Sequence, residues 1–289
     1  MDIQLHVEEL GHGEPVVLLH GFPEFSYCWR HQVPVLSAAG FRAIAPDLRG
    51  YNLSDRPKGI GNYRANELVA DIASLICKLP GGKAHVVGHD WGGVLAWRLA
   101  ALHPELVHKL VVLNAPHPAA YRRILGRNPR QWLRSWYVLF FQLPWLPELI
   151  LRSREFALLE RTWKKDPVTQ GAYSDADIAK YKEALRRPGA LTAAINYYRA
   201  ALRWPGDLYG QPQSVSAPTL LIWGEQDRYL GSDLTEKLET WVPDLRVERI
   251  PGASHWVQND VPEIVNRLLI GFLAERYPTQ PAIREIKSR

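Results

Sequence analysis

Short apolar runs alternate along the chain with stretches of helical spacing. Val16 to Leu19, Phe41 to Ala45, Ala84 to Val87, Leu110 to Leu113 and Thr219 to Trp223 are each four or five residues long and end in turn-forming residues. Such continuous apolar runs predict strands buried on both faces, as in a parallel sheet. Between two of them, Val69, Ile72, Ala73, Ile76 and Leu79 share one face of a helix, and strands alternating with helices predict an α/β fold with a mostly parallel central sheet flanked by helices.

The alternation stops near Pro116 and resumes near Ala217, and the interval is rich in Trp, Tyr, Arg and Pro. We expect a first core segment over 1–116, a helical lid over 117–213 and a second core segment over 214–289. Helices are predicted over Pro129 to Phe141, Asp175 to Leu185, with Ser174 as N-cap, and Ala190 to Leu202. Trp136 to Leu151 is the most apolar stretch, but Gln142, Pro144, Pro147 and Glu148 interrupt it. A membrane span is therefore not expected, and the stretch reads as a buried part of the lid. Trp132, Trp136, Trp145, Trp163 and Trp204 suggest an apolar lid in which most of the tryptophans pack structurally. The last dozen residues, from Pro278, read as a loosely held tail.

Composition narrows the class without naming a function. With 289 residues, 46% hydrophobic and 22% charged, the chain suits one large packed unit. The net charge of +5 is not gathered into a nucleic-acid-binding motif, so no nucleic-acid partner is expected. Arg122, Arg123, Arg127, Arg130 and Arg134 read as solvated surface, an anion site for an acidic substrate tail being the other reading. Cys28 and Cys77 are the two cysteines; both are expected to be free thiols, and no metal or cofactor is expected. The opening residues, Met1-Asp2-Ile3-Gln4-Leu5-His6, show no secretory signal, so a cytoplasmic location is expected.

The chemistry is concentrated at strand ends. Val86-Val87-Gly88-His89-Asp90-Trp91-Gly92-Gly93 is an apolar strand entering a small-residue turn before a helical run. This is the layout of a nucleophile elbow with Asp in place of Ser. Leu221-Ile222-Trp223-Gly224-Glu225-Gln226-Asp227 supplies a loop acid after a strand, and Gly252-Ala253-Ser254-His255-Trp256 supplies a histidine after strand-like Arg246 to Ile250. Nucleophile, acid and histidine thus follow in order, each at the carboxyl end of a strand, where open α/β sheets place their sites. Glu225 competes with Asp227 as the acid; the shorter Asp227 falls where the loop should turn. His20-Gly21-Phe22-Pro23 follows the Val16 to Leu19 strand. There the Phe22 N–H, with that of Trp91, can form an oxyanion hole, and Pro23 is a candidate for a cis bond.

Together with Asp47-Leu48-Arg49-Gly50-Tyr51, these segments resemble the soluble epoxide hydrolases of the α/β-hydrolase superfamily over nearly the whole chain. In the lid, Tyr137-Val138-Leu139-Phe140-Phe141-Gln142-Leu143-Pro144 and Asn196-Tyr197-Tyr198-Arg199 resemble that family's two epoxide-activating tyrosine segments. The resemblance implies acid roles for Tyr137 and Tyr198, with Tyr197 as rival for the second. It also implies a small apolar epoxide and water as reactants and a covalent aspartyl ester on the way to a vicinal diol. A carboxylate suits this chemistry because it is ionised near neutral pH and displaces a leaving group at saturated carbon without a general base. The alternatives are a haloalkane dehalogenase, which shares the Asp, acid and His set, and a non-catalytic small-molecule binder on the same fold.

Overall fold

The computed structural model describes residues 3–275. Strand β1 (Val7–Leu10) and strand β2 (Glu14–Leu19) lead to helix α1 (Val33–Ala38), strand β3 (Phe41–Pro46), helix α2 (Ala65–Cys77), strand β4 (Ala84–His89), helix α3 (Trp91–Leu102) and strand β5 (Val107–Leu113). The chain then runs through α4 (Pro118–Leu125), α5 (Pro129–Arg134), α6 (Trp136–Phe140), α7 (Leu146–Lys165), α8 (Asp175–Arg186), α9 (Ala190–Arg203) and α10 (Gly206–Tyr209). It returns to the sheet with β6 (Thr219–Gly224) and β7 (Leu245–Ile250), and ends in α11 (Val257–Asp260) and α12 (Pro262–Ala274).

The sheet order is β1-β3-β2-β4-β5-β6-β7; every neighbouring pair is parallel except β1 with β3. The expected α/β-hydrolase architecture is what the chain adopts. Val16 to Leu19, Val86, Val87 and Leu110 to Leu113 are fully buried, because helices cover both faces of these central strands. From β2 the chain steps outward to β3 and back to β4, so the order of connection reverses between β2 and β4. Such a reversal opens a crevice at the carboxyl ends of the strands.

Several local expectations need correction. β1 lacked an apolar signal because its residues, Val-Glu-Glu-Leu, lie on the sheet edge and are largely exposed. The helix expected over Pro129 to Phe141 is two, broken at Ser135. The Ser135 hydroxyl accepts hydrogen bonds from the Tyr121 hydroxyl (2.9 Å) and Gln131 Nε2 (3.0 Å), ties to the core that periodicity does not report. Trp136 to Leu151 is not a buried stretch: Trp136, Leu139, Leu143, Trp145 and Leu149 are exposed. Nor do most of the five tryptophans pack inside. Trp163 is buried, whereas Trp132, Trp136 and Trp145 face outward.

Other local readings hold. Ser174 caps α8 in a capping box with Asp177. Cys28 is buried, Cys77 is exposed, and both are free. Arg122, Arg127, Arg130 and Arg134 are exposed, while Arg123 donates to the carbonyls of Glu236 and Lys237. No helix among the described residues is long and apolar enough to cross a membrane. The expected tail from Pro278 lies outside the described residues.

Candidate active site

Asp90 joins β4 to α3 with φ 50° and ψ −121°, a conformation that L-residues seldom adopt. The neighbouring glycines are required by contact. A Cβ on Gly92 would stand 2.1 Å from the Leu19 carbonyl oxygen, and one on Gly88 would stand 2.4 Å from the Gly92 carbonyl oxygen. The turn therefore packs tightly against β2, with Asp90 projecting at the amino end of α3. Trp91 opens that helix, so its backbone N–H belongs to the set left unpaired by helix geometry.

The loop after β2 meets this turn. The Phe22 N–H donates to Asp90 Oδ1 at 2.8 Å, and the Phe22–Pro23 peptide is cis. Gly21 lies so near that a Cβ there would come within 2.4 Å of Asp90 Cβ. His20 fixes the loop from below: its Nε2 accepts the Leu48 N–H at 2.9 Å, and its Nδ1 lies 3.1 Å from the Gly21 carbonyl. Burial lowers the His20 pKa to about 4, so the ring is neutral and serves as a brace.

On the other side of Asp90 stands His255, with Nε2 3.6 Å from Asp90 Oδ2 and Nδ1 2.7 Å from Asp227 Oδ2. Asp227 is itself fixed. Its Oδ1 accepts the backbone N–H groups of Tyr229 (2.7 Å) and Leu230 (2.9 Å), and its Oδ2 accepts from Asn114 Nδ2 at 2.8 Å. Glu225, the rival acid, is exposed, whereas Asp227 is buried against His255. Burial works to lower the His255 pKa, but the charge and hydrogen bond of Asp227, joined by Asp90, outweigh it and hold the pKa at about 10. Burial conversely works to raise the Asp90 pKa; the hydrogen bond and charge of His255, with the Phe22 N–H, leave it below the usual carboxylate value.

Sequence reasoning missed the residues behind this row. Asn114, just past β5 at φ 40°, takes the Gly224 N–H on its Oδ1 (2.8 Å) while donating to Asp227, and so couples β5 to the acid loop. A polar residue with a turn preference at the carboxyl end of a buried strand was its only signal. Beneath His255, His89 Nε2 lies 2.9 Å from the His255 carbonyl, and its Nδ1 is 3.2 Å from Gln258 Nε2. Gln258 also reaches Glu24, whose Oε1 accepts the Tyr173 hydroxyl at 2.8 Å. Burial raises the Glu24 pKa to about 7, against the opposing pull of the Tyr173 hydrogen bond and the Arg30 charge.

Two adjoining cavities, of about 160 and 180 Å³, meet at Asp90, Tyr137 and Tyr198. Leu139, Trp132 and Leu230 line the first; Phe22, Phe141 and His255 line the second. The Tyr137 and Tyr198 rings stand edge to face with centroids 5.8 Å apart, and Tyr198 also packs against Trp91 (5.1 Å) and Phe22 (5.5 Å). Tyr197 faces away, its hydroxyl donating to the Arg49 carbonyl at 2.7 Å. Burial raises the pKa of both pocket tyrosines well above 10.

The architecture has close counterparts. A family model described as the alpha/beta hydrolase fold matches residues 14–261. AB hydrolase superfamily protein YfhM of Bacillus subtilis (strain 168) is 43% identical over 273 residues, which cover 94% of each chain. Epoxide hydrolase 4 of Homo sapiens is 38% identical over 269 residues, covering 91% of this chain and 73% of the human one. The crystal structure of Bacillus megaterium epoxide hydrolase in complex with an inhibitor superposes with a TM-score of 0.86 at 32% identity, over 94% of this chain and 98% of that one. The chain belongs to the α/β-hydrolase fold family and groups within it with the epoxide hydrolases.

Proposed function

We propose that the protein hydrolyses small apolar epoxides to vicinal diols through a covalent ester on Asp90. The observation that carries this reading is a carboxylate, rather than a hydroxyl, at the elbow, with two protonated tyrosines lining the same apolar space. The names of the relatives, Epoxide hydrolase 4 among them, support the substrate class.

In the first step Asp90 attacks an epoxide carbon while Tyr137 and Tyr198 hold the ring oxygen and supply a proton as the C–O bond breaks. Their raised pKa values keep them protonated at neutral pH. In the second step His255 takes a proton from water, which attacks the ester carbonyl. Asp227 stabilises the imidazolium. The Phe22 N–H, which already bonds Asp90 Oδ1, then serves the tetrahedral oxyanion together with that of Trp91. Collapse expels the diol alkoxide, which takes its proton from His255, and the carboxylic acid left on Asp90 gives its proton to the tyrosinate formed in the first step, which restores the carboxylate and the tyrosine together. Residues 117–213 act as the lid that supplies the tyrosines and keeps bulk water from the ester.

Because His255 acts only after attack, His255→Gln should form the ester and fail to release it. Intact-protein mass spectrometry after epoxide addition should show one added substrate mass, located on the peptide bearing Asp90. Unmodified protein despite measured binding contradicts the reading, as does chloride release from chloroalkanes without diol formation from epoxides.

A further inference from the structure

The helical insertion carries an apolar stripe that the fold leaves uncovered. Trp132, Trp136, Leu139 and Leu143 recur at steps of four, three and four along α5, α6 and the turn that follows, the spacing of one helical face. They are 52, 62, 56 and 43% exposed, while Gln131, Ser135 and Phe141 take the buried side. These four side chains leave roughly 400–500 Å² of apolar surface in water, the scale at which a patch marks an interaction site. The stripe also frames the cavities: Trp132 and Leu139 line one, and Trp136 lines the other beside half-exposed Leu158.

The surrounding charge is predominantly positive. Residues 117–154 hold seven arginines and a single carboxylate, Glu148, and Glu148 is engaged by Arg199 at 2.7 Å. Trp132 Nε1 donates to the Leu125 carbonyl at 2.8 Å, which lays the start of the stripe against the end of α4. Exposed Arg122 and Arg127 flank that end, and exposed Arg130 precedes Trp132 on α5. The nearby acid Asp233 accepts from Asn128 at 2.7 Å.

We propose that this face docks on the surface of an anionic lipid bilayer, with the tryptophan and leucine stripe in the headgroup layer and the arginines on lipid charges. Tryptophan favours that layer, and basic residues beside an apolar face are attracted to acidic headgroups. A second copy of the chain is the poorer occupant, because a two-fold contact would set the arginines of one copy against those of the other. Docked in this way, the cavities open toward the bilayer, where apolar molecules concentrate. The docking does not depend on the epoxide reading, and its test requires no turnover.

The test is sedimentation of the full chain with vesicles of phosphatidylcholine alone or with one third phosphatidylglycerol. Binding is expected to the acidic vesicles only and to be lost in 0.5 M salt. Arg127→Glu with Arg130→Glu should weaken it by at least roughly twentyfold, from ~fivefold per charge. Leu143→Ser, combined with Leu133→Ser at the 76% exposed neighbour of Trp132 on α5, should weaken it roughly tenfold through lost apolar burial, with turnover of a water-soluble substrate unchanged in the absence of vesicles. Absence of binding to acidic vesicles overturns the proposal, as does equal, salt-independent binding to both compositions. A dimer in solution that the leucine changes dissociate assigns the face to a second copy and overturns it as well.

Discussion

Replacing Asp90 by Ala should turn His255 from a group that holds its proton into one that titrates near neutrality. Asp90 Oδ2 lies 3.6 Å from His255 Nε2. At an effective dielectric constant of ~20 two unit charges at that separation attract by ~4–5 kcal/mol. At about 1.4 kcal/mol per pKa unit, loss of this attraction moves a pKa by about three. The His255 pKa, about 10 with both carboxylates present, should therefore fall to near 7. The sign follows from charge: an adjacent anion favours the imidazolium, so its removal favours the neutral ring. Esterification of Asp90 removes the same charge, so covalent attack would itself convert His255 into a base suited to neutral pH. Ring resonances of isotopically labelled histidine, followed by NMR from pH 5.5 to 10.5 and assigned with His255→Gln, measure this. If His255 in Asp90→Ala still holds its proton above pH 9, Asp227 alone sets its pKa and the reasoning fails.

Two further outcomes follow from the site. Tyr137→Phe and Tyr198→Phe should each slow single-turnover ester formation on the order of a hundredfold, and the double change far more; wild-type rates in a folded double variant would remove the tyrosines from the mechanism. Glu24→Gln should flatten the pH dependence of stability. The folded pKa of Glu24, about 7, lies above its ordinary 4.5, so Glu24 contributes stability that is fully present below pH 4.5 and lost as pH rises through 7. That loss amounts to about 3 kcal/mol, read by denaturant unfolding at pH 4.5 and 7.5; identical profiles for the two proteins would contradict it.

What the sequence disclosed, and what it withheld, follows from the range of the interactions involved. Asp90 was legible because the elbow imposes its requirements within a few residues: glycines where a Cβ would strike the backbone, and an apolar strand before them. Asp227 could be preferred over Glu225 on similar local grounds, since a short carboxylate reaches the N–H groups two and three residues ahead, as it does for Tyr229 and Leu230. The orientation of Tyr197 and Tyr198 was not local. It is set by the rotation of α9, which the Tyr197 hydroxyl reports through its bond to the Arg49 carbonyl 148 residues away. Asn114 and the Glu24, Gln258 and His89 cluster were hidden for the same reason, each acting through partners distant in sequence. The expectation that Trp136 to Leu151 is buried fails because apolarity states what a residue can bury and not what the fold supplies to bury it.

The central claim is that the oxygen delivered to the substrate comes from Asp90, and one labelling experiment tests it directly. A single turnover with enzyme in excess, run in water enriched in heavy oxygen, should release a diol that is largely unlabelled and leave the label in the peptide bearing Asp90. A labelled first diol with an unlabelled Asp90 would mean that water attacks the epoxide directly, and would contradict the covalent account.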